Sequence, residues 1–313
     1  MLKIGIVGLG DISQKAYLPY MRQLKDIEWH LFTRNERVRR EVGQLFGKSY
    51  LYTDVKDLSQ ANLDGVFIHV ATKVHFEMAQ LFLKEGIPVY MDKPLTEDFE
   101  STVKLYRLAK ANGTFLMAGF NRRFAPRVKE LSTVSSKRKV RVEKNDVNRP
   151  GVLTFKLFDF FIHPLDTALF LSGEEPLRGS FQYHVESELL SQVSVELTTA
   201  FSMISISMNL QSGSRRELME IQTAEATYQL ENLDELTIFK GNHQEKMSFG
   251  SWDRTLYKRG FESIIGAFIR AIKEGVNPVK PETSLLSHWI CQQISQSPES
   301  YGSLDLNLPE IGE

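Results

Sequence analysis

The 313-residue sequence has little of what marks secreted, membrane-spanning or polyanion-binding chains. Its single cysteine, Cys291, excludes an internal disulfide and points to a reducing compartment. No uncharged apolar run reaches the roughly 18 residues that a membrane helix needs. The chain opens directly on a strand-like pattern, which leaves no segment to read as a signal peptide. Neither sign of charge dominates, with 38 Lys and Arg against 39 Asp and Glu, so no nucleic-acid or membrane-surface partner is indicated. No His, Cys or carboxylate set has metal-ligand spacing, and no metal site is expected. A cytoplasmic protein of two domains, with ample length to bury a core, is the expectation.

The first ten residues are the most informative. Apolar Leu2, Ile4, Ile6 and Val7 run into Gly8-Leu9-Gly10, and a helical pattern follows. A strand that turns through glycines into a helix lets backbone approach a phosphate, which the free N–H groups and dipole of the helix start favour. An ordinary glycine turn is the plainer alternative. Strand patterns at 2–7, 28–33, 65–70, 89–91 and 115–119 alternate with helical ones at 12–24, 36–46, 73–85 and 99–112. That rhythm predicts an α/β Rossmann-type domain over residues 1–122, a parallel sheet with helices on both faces. Ligands in such folds sit at the carboxyl ends of the strands. Those ends carry Gly8 and Gly10, Thr33 and Arg34, Ala71 and Thr72, Asp92-Lys93-Pro94, and Asn121-Arg122.

From residue 123 to 313 the rhythm changes to successive strands at 180–185, 192–199, 202–210, 218–222, 227–230 and 235–239. This predicts an α+β domain with an open, mostly antiparallel sheet. Helices follow at 261–274 and 284–295, and the polar end from Ser297 reads as a loose tail. The basic cluster Lys137-Arg138-Lys139 with Arg141 reads as a solvated loop or edge strand. One nearly apolar segment, 155–171, carries Asp159, His163 and Asp166 at i, i+4 and i+7, one stripe of a helix. Burying these groups is costly unless they pair or meet a ligand, so a satisfied His–Asp pair in the core and a functional site both remain open. Pro164 must kink that helix or lie in its first turn.

These residues resemble the Gfo/Idh/MocA oxidoreductases, and within them the MviM-like bacterial proteins. The resemblance spans GLGDISQKAYLP, VYMDKPLTED, GFNRRFAP and DFFIHPLDTALFLSG. It implies oxidation of a sugar, cyclitol or polyol carbinol, or reduction of the matching ketone, with a nicotinamide dinucleotide. By resemblance Lys93 is the lysine that reaches nicotinamide ribose and substrate hydroxyl, His163 the general acid/base, and Asp159 the carboxylate that tunes it. Asp166 is carried over as a position that contacts substrate hydroxyls, and Arg122, outside that carry-over, is the second candidate for substrate binding. Gly8, Gly10, Asp11, Ile12, Thr33, Arg34, Ala71, Thr72, His75 and Asp92 are assigned to the cofactor. The chemistry is coherent, because carbinol oxidation needs a base for the proton, a hydride acceptor, and a cation near the developing alkoxide.

Three departures from the family pattern stand out. Asp92 replaces the usual glutamate, Ser13 the third fingerprint glycine or alanine, and Val70-Ala71-Thr72 the usual Thr-Pro-Asn. The second strand ends without an acid to bind a ribose 2′-hydroxyl. Thr33 and Arg34 suit a 2′-phosphate instead, so NADP(H) is favoured over NAD(H). The Lys93-Pro94 peptide is expected to be cis. Lys144, Asn145, Arg122 and Arg123 are candidates for the pocket or for plain surface. A non-catalytic dinucleotide-binding sensor is the alternative function, and a non-sugar reductase a third. An exposed apolar face on the second sheet would call for a homo-oligomer, dimer or tetramer.

Overall fold

A computed structural model describes residues 1–309. The chain divides into two compact units, the first built from Met1–Gly119 with Phe261–Pro281, the second from Phe120–Gly260 with the chain from Glu282 onward.

The first unit holds six parallel strands: β1 (Leu2–Val7), β2 (Ile27–Phe32), β3 (Ser49–Tyr52), β4 (Gly65–Ile68), β5 (Val89–Asp92) and β6 (Leu116–Gly119). Their order is β3-β2-β1-β4-β5-β6, the doubly wound arrangement with its switch point at the end of β1. Central strands of such a sheet are covered on both faces and so read as apolar runs: Ile4, Ile6, Val7, Val66, Phe67 and Ile68 are fully buried. Strand β3, absent from the sequence expectation, lies at the edge with Tyr50 and Leu51 exposed, so no apolar run marks it. The helix Phe261–Glu274 also belongs to this unit and not to a contiguous second domain. Phe268 meets Phe67 edge to face at 4.8 Å, and a side chain at Gly65 would overlap Ile272.

The second unit holds nine strands: β7 (Lys139–Asn145), β8 (Arg178–Glu186), β9 (Leu189–Thr198), β10 (Met203–Asn209), β11 (Arg216–Gln222), β12 (Thr227–Glu231), β13 (Glu235–Lys240), β14 (His243–Met247) and β15 (Tyr301–Leu304). Their order is β14-β13-β12-β11-β7-β10-β9-β8-β15, and every pairing is antiparallel except β7 with β10. Strand β7 corrects the expected loop or edge, because it is the central strand of the sheet. Val140 and Val142 alternate inward, while Lys139, Arg141 and Glu143 point to the opposite face. The expected loose tail is corrected too: Tyr301–Leu304 pairs with β8, and only residues 310–313 lie outside the described chain. The helix Ile162–Ser172 packs on β7 and β10, covering one face of the sheet.

The other face is polar. Its middle rows carry Arg141, Glu143, Glu196, Ser194, Ser205 and Ser207, with Ser205 donating to Glu196 at 2.6 Å. The middle of this face is therefore not the apolar surface expected for an oligomer contact, and its exposed apolar side chains, Met203 and Tyr301, lie toward its margins.

His288 lies wholly buried in the helix Pro281–Gln296, its Nδ1–H donating to the Ser284 carbonyl at 2.7 Å. Burial holds its pKa down at about 4. The unfolded chain then takes up the proton first, near pH 6.5, so stability present above that pH is lost as pH falls toward 4. The loss approaches about 3 kcal/mol from this one residue. Urea midpoints at neutral pH and near pH 4.5 will show it, and His288→Asn will shrink the difference.

Candidate active site

The turn after β1 is shaped by two different glycines. Gly8 has φ +94°, and a Cβ there would sit 2.8 Å from the carbonyl carbon of His69, so only glycine fits. A Cβ at Gly10 would meet nothing within 4 Å, so open space lies where a ligand needs the backbone bare. The exposed Asp11 and Ile12 start the helical segment 11–21, whose first-turn amides have no carbonyl behind them. This turn fits a dinucleotide phosphate. Ser13, in place of the usual glycine or alanine, is closely packed. It is fully buried in a π-helical turn, Ser13–Tyr17, and its hydroxyl meets His69 Nδ1 at 3.1 Å. Tyr17 stacks on His69 at 3.9 Å. Burial and the charge on His75 hold the His69 pKa down at about 3, and its buried Nε2 has no hydrogen-bond partner.

At the end of β2, Thr33 is half-buried and Arg34 exposed. The Asn35 side chain caps the helix Glu36–Phe46 by accepting from the Val38 amide at 3.1 Å. Arg39, which the sequence did not single out, is buried and donates to the Thr33 carbonyl at 2.9 Å. The nearest acid, Glu36, reaches the exposed Arg40 at 2.5 Å. Beyond β4, Ala71 is exposed and Thr72 half-buried.

The end of β5 is the most constrained. The Lys93-Pro94 peptide is cis, as the sequence predicted. The Lys93 amide donates to Asp92 Oδ1 at 2.9 Å, and Tyr17, bonded to the Tyr90 hydroxyl at 2.8 Å, also reaches Asp92. Burial pushes the Asp92 carboxyl up, while the charges of Lys93 and His75 and the hydrogen bonds oppose that rise. His75 corrects its expected role. It is 1% exposed, with Nδ1 2.8 Å from the Pro94 carbonyl and Nε2 2.9 Å from the Val70 carbonyl. Both ring nitrogens are engaged by backbone, so His75 pins the loop carrying Lys93 and has no ring nitrogen left to offer a cofactor.

In the second unit, Asp159 lies in a π-helical turn, Leu157–Phe161, that leads into Ile162–Ser172. Pro164 falls in the first turn of that helix, the place where a missing N–H is tolerated. His163 is half-buried, and its Nδ1 accepts from Arg122 Nη1 at 2.8 Å. A guanidinium only donates, so the neutral imidazole carries its proton on Nε2. Arg122 is held in turn by Glu217 through Nε–Oε1 and Nη2–Oε2, the latter 2.9 Å. Arg122 is 4% exposed with Nε, Nη1 and Nη2 each engaged by protein, so it orients His163 and is not placed as a substrate ligand. Asp166 is corrected likewise. It is 1% exposed, and Arg123 takes both its oxygens.

The two buried pairs titrate oppositely. Burial pushes the Asp166 carboxyl up more than Arg123 pulls it down, whereas Arg122, joined by Lys144 and Arg259, holds Glu217 below the usual range. Glu217 was missed in the sequence. Its signal is a carboxylate on the same parity of β11 as buried Met219 and Ile221. Among the described residues, no group of three or more His, Cys, Asp or Glu could hold a metal, and no helix is long and apolar enough to cross a membrane.

A glycine turn at the switch point of a doubly wound sheet, together with a lysine held by a cis proline, defines a dinucleotide-binding oxidoreductase fold. Residues 2–120 match the model of the oxidoreductase family with an NAD-binding Rossmann fold, and residues 126–241 match the YceM-like C-terminal domain. The chain is 33% identical over 294 residues to YceM of Salmonella typhimurium, covering 90% of this chain and 92% of that one. The crystal structure of a Gfo/Idh/MocA family oxidoreductase from Vibrio cholerae superposes with a TM-score of 0.89 at 34% identity, covering 95% and 99% of the two chains. Inositol 2-dehydrogenase of Rhizobium meliloti is 24% identical over 243 residues, covering 69% and 72%. The protein belongs to the Gfo/Idh/MocA oxidoreductase family.

Proposed function

We propose that the protein is an NADP(H)-dependent dehydrogenase or reductase acting on a carbinol or ketone of a sugar, cyclitol or related polyol. The observation that carries this reading is the Arg122-oriented His163 with Asp159 one turn earlier, in a chain that also keeps Lys93 on a pinned loop. The inositol dehydrogenase among its relatives supports the substrate class. Gly8, Gly10, Asp11 and Ile12 hold the pyrophosphate, and Ala71, Thr72 and Asp92 line the nicotinamide side. When bound, the dinucleotide accepts or supplies the hydride. Lys93 places a cation beside the substrate oxygen and stabilises it as an alkoxide develops. His163 exchanges the hydroxyl proton. With Nδ1 taken by Arg122, its Nε2–H is the ring group that would donate a hydrogen bond to a substrate oxygen. To take up a proton, His163 must release Nδ1 from Arg122, because a nitrogen that accepts from a guanidinium has no lone pair to spare.

The preference for NADP(H) rests on Thr33 and Arg34 at an acid-free strand end, with Glu36 turned to Arg40. NADPH is expected to bind about tenfold or more tightly than NADH at low salt, with a smaller ratio at high salt. Equal or tighter NADH binding overturns the preference. A screen of polyols and keto-sugars followed by NADPH fluorescence tests the activity, and no turnover across the panel counts against it. We place the protein in the cytoplasm as a homo-oligomer.

A further inference from the structure

Beside Asp159, around one aromatic ring, the second unit gathers more positive charge than it neutralises. Lys156 Nζ sits 4.0 Å from the centre of the Phe160 ring, Lys144 Nζ 5.5 Å, and the Arg149 guanidinium 5.6 Å. Arg215 stands at the rim, bonded to Asp146 at 2.9 Å, while Arg149 reaches the other oxygen of Asp146 at 3.3 Å. The Val147 amide also donates to Asp146, so this carboxylate already has three donors. Asp146 and Asp159 are thus two negative charges against four positive ones. Glu217, which Lys144 also feels, is already committed to Arg122.

Lys156 is the decisive member. It is 5% exposed, yet among the described residues no carboxylate comes within 4.0 Å of its Nζ and no acceptor takes a hydrogen bond from it. Its ammonium rests on the face of Phe160 at 4.0 Å, with the Phe155 ring 5.8 Å away, contacts that help but do not replace an anion. Burial and Arg149 pull its pKa down, and Asp146 and Asp159 raise it only in part. The backbone is shaped to keep it there. A Cβ at Gly151 would overlap Lys156 Cε, and Gly151 is fixed by paired hydrogen bonds with Leu190. Arg149 is fixed as well, its amide donating to the Leu210 carbonyl at 2.7 Å. A cation whose stem is buried and whose ammonium has no carboxylate within 4.0 Å is costly to hold, and here glycine leaves room for the stem.

We propose that Lys156, Lys144 and Arg149 bind an oxyanion on the substrate, so that the sugar or polyol is an acidic one carrying a phosphate or a carboxylate. The proposal rests on the dehydrogenase reading for the rest of the substrate, and on these residues alone for the anion. Phosphate and carboxylate share the chemistry that the three cations recognise, and paired substrates separate them: glucose, glucose 6-phosphate and glucuronate, or myo-inositol and its monophosphate.

Two measurements test it. Inorganic phosphate is titrated calorimetrically into the wild-type protein saturated with NADP+, at constant ionic strength, and then into Lys156→Met, Lys156→Arg and Gly151→Ala. Wild type and Lys156→Arg are expected to bind phosphate, while Lys156→Met weakens it about 30-fold, the loss of one charge-assisted contact, and Gly151→Ala, which displaces the Lys156 stem and keeps its charge, weakens it by a smaller factor. The same variants are then assayed on the paired substrates, where the acidic-to-neutral ratio of kcat/KM is expected to collapse by a similar factor. Circular dichroism confirms folding, and with two variants that act by different means, a failure of one to fold leaves the other. Phosphate bound through Lys156 with no sugar oxidised keeps the anion site and removes the dehydrogenase reading. Neutral polyols oxidised without any acidic preference overturn the anion site and leave that reading. No phosphate binding by the wild type, or an NADP+ Kd that rises with Lys156→Met, also overturns the proposal.

Discussion

Replacing His163 with alanine, or Lys93 with methionine, is expected to lower kcat by about 10²–10⁴-fold while the Kd for NADP+ stays within about threefold. His163 sits on a helix of the second unit, and every polar contact described for the glycine turn is made by other residues. Its loss should therefore reach the proton and not the dinucleotide. Lys93 differs, because its amide is tied to Asp92 and its loop to His75 by backbone atoms that survive the substitution. Methionine keeps the stem and removes the charge, so the effect reads alkoxide stabilisation and not loop collapse. Cofactor titration by NADPH fluorescence and a turnover assay on one preparation separate the two parameters. If the His163 variant stops binding NADP+, the role given to His163 is wrong.

Asp166→Ala is expected to cost roughly 3–5 kcal/mol of stability, the scale for stranding one partner of a buried ion pair. Arg123 would keep its charge with 7% exposure, its Nη1 still on the Thr283 hydroxyl at 2.8 Å and its guanidinium still 5.4 Å from the Phe120 ring. Neither contact replaces a carboxylate. The double variant Arg123→Met with Asp166→Leu should recover most of the loss, because removing both charges abolishes the uncompensated one. Urea unfolding of the three proteins checks this. A single variant as stable as wild type would mean that Asp166 is not the structural ion pair described. Catalytic readouts are not needed, which keeps this test apart from the question of substrate.

The sequence carried the parallel sheet well, because doubly covered strands leave uninterrupted apolar runs such as Ile4–Val7 and Val66–Ile68. Strand β3 left no such run at its sheet edge, and β7 was obscured because its basic residues occupy the polar face. The glycine turn, Lys93 with its cis proline, and the Asp159–His163 spacing were legible from local pattern and resemblance. What was illegible was partnership. Asp166 on a helical stripe looks identical whether it meets a substrate or Arg123, 43 residues away in sequence. Arg122 and Glu217, 95 residues apart, form one unit that no local spacing announces. His75 has the right position for a cofactor ligand, and only the two carbonyls on its ring show that it is occupied.

The π-helical turn Leu157–Phe161 has a geometric consequence. In an unbroken α-helix, positions seven apart lie almost on one line along the axis. Lys156 and His163 are such a pair, but the wider turn between them absorbs about one extra residue. Lys156 is thereby rotated away from the line of His163 by roughly a quarter turn around the axis. A molecule held at both ends by this helix has to curve across its surface rather than run along it. The spacing of its charged group from its reacting carbon is then set by the circumference of the helix, not by its rise.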